Sequence, residues 1–382
     1  MTAPKPSLEL LRGLTDENVL RVLMAHDRLT RAEIATRTGI SKPTISESVQ
    51  RLEQAGLVVD TGERTTGRGR VGSYYALAPH LGTALVAGIT PHGVVAEAVD
   101  ALGRTHGRVR TALHADAGQE TVAEALGAAA VELDGNAGGP LRLAVVSAAD
   151  PVDRATGRLV HLPDAPFLVG ALDPPAVLAD TVTGPVLVDN DVNWAARAEY
   201  EHGCVQGVDD FIYLYLGEGL GCAVVGDGVV RRGHGGLVGE IAHLCTAGPD
   251  GRAMTFTEVF AALGLRRASS TAVDVPKLLG ILDAPDTDAA AERVRVALAH
   301  AIGGVLSAAL SFADPRTVVV GGPWGSHPRL IAAIEEHLTG SPRSVPICAA
   351  ALPLPELAGA RSRAVEELGS LIVRSAHPAT QW

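Results

Sequence analysis

The chain has 382 residues, of which 47% are apolar and 20% charged, with a formal net charge of −11 at neutral pH. That balance excludes a disordered or collagen-like chain and leaves room for two or three compact units. Its four scattered cysteines form no C-x-x-C pair, so they are expected as buried or bystander thiols, with neither a disulfide framework nor a zinc knuckle. The start, MTAPKPSLEL, lacks an apolar core of signal-peptide length, and no run approaches the roughly 20 apolar residues that cross a bilayer. A cytoplasmic protein with no membrane partner is expected.

In chain order, Asp16 to His26 reads as a first helix, with Val19, Leu20, Val22 and Leu23 apolar. Thr30 to Leu57 then reads as two short helices joined at Gly39. Ser41 is placed to cap the second, Pro43 lies in its first turn, and Ile45, Val49 and Leu52 fall on one buried stripe. Ser41, Lys42, Pro43, Thr44, Ser46, Ser48 and Arg51 are left to reach outward, where a recognition helix meets base edges in a major groove. Leu57 to Val59 and Ser73 to Leu77 read as a strand pair around a polar, glycine-rich turn. Together these make a winged helix-turn-helix over residues 1–80. The wing carries Arg64, Arg68 and Arg70, and arginine flanked by glycine suits a narrow minor groove.

Charge follows the same division. Residues 1–80 hold 11 basic and 9 acidic side chains, and the remaining 302 hold 21 basic and 34 acidic. An acidic body repels nucleic acid, so double-stranded DNA is expected to meet the front module only. One small recognition helix covers one half-site, so a homodimer or homotetramer on an inverted repeat is expected.

Beyond residue 80, strand-like and helix-like segments alternate. Thr83 to Ile89, Gly93 to Asp100 and Thr105 to Leu113 read as strands, Glu120 to Leu133 as a helix, and Leu141 to Ala148 as a strand. Val186 to Asp189 is a short buried strand, followed by a helix from Val192 to His202. A second glycine-punctuated strand set covers Phe211 to Leu216, Gly221 to Gly226 and Val229 to Arg232. A long helix from Ala289 to Phe312 leads to a strand at Thr317 to Val320. Two strand-rich lobes with crossing helices fit an α/β protein with a cleft between them. The lobes are expected at about 81–189 plus the C-terminal helix, and at 190–360.

Four segments, VDNDVNWAARAE, LYLGEGLGCAVVGDGVVRRGHGGLVGEIAHL, SFADPRTVVVGG and GARSRAVEEL, occur in this order after the winged helix. They resemble the repressor branch of the ROK family (repressors, open reading frames, kinases). The resemblance implies a two-lobed actin-like ATPase fold, related to ribonuclease H, with a sugar in its cleft. Its kinases phosphorylate sugars, and its repressors change their DNA binding with a sugar or sugar phosphate. By resemblance, Asn190 and Asp191 match a pair that binds sugar hydroxyls, the aspartate being the kinases' general base. Glu240 and His243 in GEIAH match two further hydroxyl-binding residues, and Glu258 falls where the family places another glutamate. Carboxylates suit the task because each accepts two or more hydrogen bonds. Glu199 and Glu201 read instead as a solvated helix face.

Three departures from the family pattern matter. The family's cysteine-rich segment after GEIGH, which binds a structural zinc with the histidine, is replaced by HLCTAGPDGRAMTFTE. Cys245 stands too close to His243 to be the first of those thiols, so no zinc is expected and hydrogen bonds must order the loop from Thr246 to Thr255. The kinases' D-x-G-x-T phosphate turn is replaced by VAGITPHGVV, with no acidic residue between Leu85 and Val95 and with Pro91 removing a donor. Glu218 also stands where a hydroxyl residue usually meets phosphate. Finally, Ala149 and Asp150 occupy positions usually held by glycine, where Asp150 either narrows the pocket or adds a contact. The expectation is therefore a sugar-responsive DNA-binding regulator, a repressor without catalytic residues or cofactor, that responds to a monosaccharide or sugar phosphate. The alternatives are a sugar kinase carrying a DNA module, and a regulator whose sugar site has degenerated.

Overall fold

The computed structural model describes residues 8–66, 71–114, 117–135, 138–162, 170–340 and 343–376. The winged helix is built from α1 (Leu8–Met24), β1 (Leu29–Thr30), α2 (Arg31–Thr38), α3 (Lys42–Gln54), β2 (Val58–Arg64) and β3 (Ser73–Leu77). Helix α1 begins eight residues before the expected Asp16. Thr30 and Glu33 form a capping box at α2, which ends on Gly39 in the left-handed region at φ 70°. Ser41 caps α3 by accepting the Thr44 N–H, and Ile45, Val49 and Leu52 are buried as the spacing requires. Strand β1 was not legible in the sequence. It pairs with β3 at Leu29 and Tyr75 and makes the wing a three-stranded sheet in the order β1-β3-β2.

The body contains two five-stranded sheets of the same topology. The first comprises β4 (Thr83–Thr90), β5 (Gly93–Val99), β6 (Thr105–Ala112), β7 (Leu141–Ala148) and β8 (Val186–Asn190), with helices α4 (Gln119–Leu133) and α5 (Pro174–Leu178) between them in sequence. Helix α6 (Asp191–His202) follows. The second sheet comprises β9 (Phe211–Leu216), β10 (Leu220–Gly226), β11 (Val229–Val230), β14 (Thr317–Gly321) and β15 (Ile347–Ala349). Between them run the hairpin β12 (Cys245–Ala247) and β13 (Ala253–Thr255) and the helices α7 (Phe256–Ala262), α8 (Val275–Asp283), α9 (Ala289–Ala313) and α10 (Pro328–Thr339). Helix α11 (Pro355–Ala376) closes the fold. The orders are β6-β5-β4-β7-β8 and β11-β10-β9-β14-β15. In each, an antiparallel three-strand meander continues through two parallel strands.

Each sheet is covered on both faces, as a largely buried mixed sheet requires. Helices α4 and α5 cover one face of the first, and α7 to α10 cover one face of the second. The other two faces look toward α6 and α11. Trp194 of α6 belongs to the core of the first sheet, while Val192, Ala195 and Ala196 of the same helix pack on the second. Helix α6 is thus shared between the lobes, not confined to one. Helix α9 corrects the expectation that no segment could span a bilayer, because by length and composition it is long and apolar enough. Its Leu298, Ile302, Val305 and Leu306 are buried in the core of the second lobe, which accounts for the apolar run.

Candidate functional site

A cavity of about 1260 Å³ opens between the sheets. It lies at the carboxyl ends of the parallel strands, where open α/β sheets place their ligands. Asn190, Asp191, Glu240 and His243 all line it, as do Asp150 from the turn after β7 and Glu356 from the first turn of α11.

The local sequence fixes each group. Asn190 ends β8 and caps α6, its side-chain oxygen accepting the Val192 N–H at 3.0 Å. Its amide nitrogen donates to the Asp150 carbonyl at 3.2 Å, tying the turn after β7 to the start of α6. Asp191 is the first residue of α6, and burial pushes its carboxyl up to about 8, with Glu356, Asp150 and Glu240 adding repulsion. Glu240 follows Gly239, whose φ is 97° and whose Cβ would collide with the Cys222 carbonyl of β10. Only glycine lets the loop approach that closely. Burial raises Glu240 to about 7. Asp150 is 5% exposed and raised to about 7 by burial and by Glu240, and its Oδ2 is buried without a hydrogen-bond partner.

Three expected site residues, Glu258, Ser48 and Arg51, serve other partners. Glu258 does not reach the cavity. Its carboxylate folds back as the capping box of α7, accepting the Thr255 N–H at 2.7 Å, and these bonds hold its pKa below the ordinary value. A glutamate three residues after threonine satisfies helix donors at no cost in reach. Ser48 does not face outward from α3. It is fully buried and donates to Asp16 at 2.5 Å, and Arg51 binds the same carboxylate at 2.6 Å. Ser41, Lys42, Pro43 and Thr44 remain exposed and Ser46 is half-buried. Arg64 is exposed but pairs with Asp60 at 2.8 Å. Arg68 and Arg70 lie outside the described residues.

Other groups were not foreseen. Asp189, 4% exposed, accepts from Asn193 at 2.8 Å and from Arg232 Nε at 2.5 Å, so one carboxylate links β8 to the segment after β11. Its burial between two valine-rich segments made it look like a strand end. Glu199 is no solvated residue. It is fully buried and accepts the backbone N–H groups of Cys204, Ala351 and Leu352, joining α6 to the segment that leads into α11. Glu356, in the first turn of α11, was marked by no spacing in the sequence.

The turn between β4 and β5 places Pro91 and His92 at the cavity rim, and Glu218, in the turn between β9 and β10, is ion-paired with Arg267. The Thr246–Thr255 loop is ordered by the β12–β13 ladder and by the Thr246 hydroxyl donating to Ala301 O at 2.7 Å. Among the described residues no group of three or more His, Cys, Asp or Glu is arranged to hold a metal ion. One imidazole and one thiol, His243 and Cys245, do not complete the tetrahedral set of a structural zinc.

A ROK family profile matches residues 92–352. The chain belongs to the ROK family. A winged helix-turn-helix DNA-binding profile matches residues 14–59 ahead of the ROK domain. This ROK chain is 30% identical over 164 residues to a glucokinase of Halalkalibacterium halodurans, covering 36% of the chain and 48% of that enzyme. It is 29% identical over 162 residues to a beta-glucoside kinase of Listeria monocytogenes, covering 40% and 55%. The chain thus spans about half the length of the curated relatives it matches. Among solved structures, a ROK family transcriptional regulator homologous to the E. coli MLC protein superposes with a TM-score of 0.62 at 16% identity, over 95% of this chain and 99% of that one. The ROK hexokinase of Thermus thermophilus superposes with a TM-score of 0.57 at 27% identity, over 75% and 99%. The actin-like fold and the front module are therefore those of ROK proteins that combine both parts.

Proposed function

We propose that this protein is a sugar-responsive DNA-binding transcriptional regulator, a repressor of carbohydrate genes acting in the cytoplasm. One observation carries the reading: helix α11 serves both ends of the molecule. Its first turn lines the cavity with Glu356 and Leu357, and its last turns carry Leu368 and Ile372 into one continuous core with Val19, Leu20 and Leu23 of α1. A ligand that moves the start of α11 therefore acts on a rigid element against which the winged helix rests. On the DNA side, Ser41, Lys42, Pro43, Thr44 and Ser46 are the proposed groove-facing set, with Arg64, Arg68 and Arg70 on the wing. Ser48 and Arg51 act through Asp16 to hold α3. Two or four copies reading an inverted repeat supply the discrimination that one half-site lacks.

A second reading, a sugar kinase, is favoured by the kinase relatives and by Asp191, whose raised pKa suits a general base. Against it stand Pro91 and His92 in the turn where the family's kinases hold phosphate, and the Glu218 carboxylate at the second phosphate loop, which repels a polyphosphate. The reading assigns no cofactor and no zinc. The test is a thermal-shift screen with monosaccharides, followed by selection of genomic fragments on the full-length protein with and without the hit. A ligand at 100 times its dissociation constant should add about 2.7 kcal/mol of stability, and the selected fragments should share an inverted repeat. ADP release from ATP on adding a sugar, abolished by Asp191→Asn, would establish the kinase instead.

A further inference from the structure

Four carboxyl side chains from four separate segments converge on the cavity: Asp150, Asp191, Glu240 and Glu356. They interact, since Asp191 is destabilised as an anion by each of the other three and Asp150 by Glu240. In every case burial is the largest effect, and no cation offsets it. Of the four arginines that line the cavity among the described residues, Arg108, Arg267 and Arg361 are committed to carboxylates, and Arg110 is the fourth. Arg267 is paired with Glu218, Arg361 with Glu97 at 2.5 Å, and Arg232, beside the cavity, with Asp189.

The unpartnered oxygen of Asp150 points to a ligand independently of the charge count. Asp150 is 5% exposed and lines the cavity, and its Oδ2 is buried with no hydrogen-bond partner. A buried acceptor left unsatisfied is costly and rare, so Asp150 calls for a hydrogen-bond donor. A metal ion is a poor candidate, because among the described residues no three of these groups come close enough to share one. A neutral sugar would satisfy the hydrogen bonds but leave the carboxyls to stay neutral by holding protons, a phosphorylated or acidic sugar would add to the repulsion, and a cation would let them ionise.

We propose that this cavity takes a polyhydroxylated ligand bearing a protonated amine, an amino sugar, whose ammonium group donates to Asp150 in a cavity also lined by Asp191, Glu240 and Glu356. The proposal rests on the sugar-sensor reading and narrows its ligand to a cation. Asp150 stands where the family usually has glycine, so the preference belongs to this chain. Neutral hydroxyls of the same ligand would still be held by Glu240 and His243.

The test is calorimetric titration of the full-length protein at neutral pH with glucosamine, mannosamine and galactosamine. Each is compared with its parent hexose and with its N-acetyl derivative, which has the amine's position but no charge. At least one hexosamine is expected to bind about tenfold or more tightly than both of its neutral counterparts, a difference of about 1.4 kcal/mol. Asp150→Asn and Asp150→Gly should each erase that advantage. The comparison on the unsubstituted protein stands even if a variant fails to fold. Neutral sugars binding as tightly as the amines would overturn the cationic ligand and leave the sugar sensor intact. Silence from all nine compounds would overturn the amino-sugar ligand, and silence across the wider monosaccharide screen would overturn the sensor as well.

Discussion

Asp191, Asp150 and Glu240 are more basic in the folded chain than in the unfolded one, and this has a measurable sign. Their ordinary values are 3.8 and 4.5, and folding raises them to about 8, 7 and 7. Between these limits the native state binds more protons than the unfolded state, so stability falls as pH rises. The contribution of these groups is complete below about pH 4 and is lost through about 7 for Asp150 and Glu240 and about 8 for Asp191. The melting temperature of the ligand-free protein should therefore decline from about pH 5 to about pH 8.5. Asp191→Asn should flatten the upper part of that decline. Calorimetric scans across this range are the check, and a melting temperature that rises throughout would contradict the assignment. At the same scale, the family resemblance pointed to Asn190, Asp191, Glu240 and His243, and all four line one cavity. It did not show Glu356 or Asp189, whose roles depend on partners more than 40 residues away. It misplaced Glu258, because a side chain three residues after threonine has a local use that competes with any distant one.

At the scale of elements, nine of the ten strands of the two sheets were legible because their apolar periods are regular, whereas β15 and the helices α5, α7, α8 and α10 were not read. The strands that escaped are short and owe their form to tertiary contacts. Strand β1 has two residues and exists only through β3, and β12 and β13 are three-residue strands anchored by Thr246 on α9. Helix α3 shows how a local expectation fails one residue at a time. Its cap and apolar stripe were readable, yet Ser48 turned out to serve Asp16 instead of solvent. Asp16 is itself only 1% exposed, and its carboxylate joins α1 to both Ser48 and Arg51 of α3. Asp16→Ala should strand a buried hydroxyl and free a partly exposed guanidinium. The expected loss is about 2 kcal/mol, combining an orphaned buried group with a discounted ion pair. Urea unfolding of the full chain measures it, and Arg51→Ala should cost less. Equal and negligible losses from both would show that α3 is held by its apolar stripe alone.

The whole molecule poses the question of how a filled cavity reaches a DNA-facing helix. An acidic body repels DNA, so on the proposed reading a ligand acts through the position or spacing of the winged helices. The physical route is α11, buried at Gly359, Ala360 and Ala364 against the first lobe and at Leu368 and Ile372 against α1. Its ends are pinned. Arg361 holds Glu97 at 2.5 Å and Thr105 at 2.9 Å, and Glu199 holds the approach to its first turn through two backbone bonds. At the far end, Gly369 lets Met24 of α1 come close, since a Cβ there would lie 3.1 Å from its sulfur. Coupling of this kind is a free energy shared by two sites, so it must appear equally in both binding equilibria. Leu368→Ala leaves every cavity residue in place but opens a void between α11 and α1, at a cost of roughly 2–5 kcal/mol in stability. The variant should bind its sugar with unchanged affinity by calorimetry. Its operator affinity, followed by fluorescence anisotropy, should no longer change when the sugar is added, whereas the unsubstituted protein should show a change of about 5-fold or more. Salt must be held constant in both series, because phosphate contacts alone shift such affinities strongly. A variant that keeps the full ligand effect on DNA would show that the signal travels by some element other than α11.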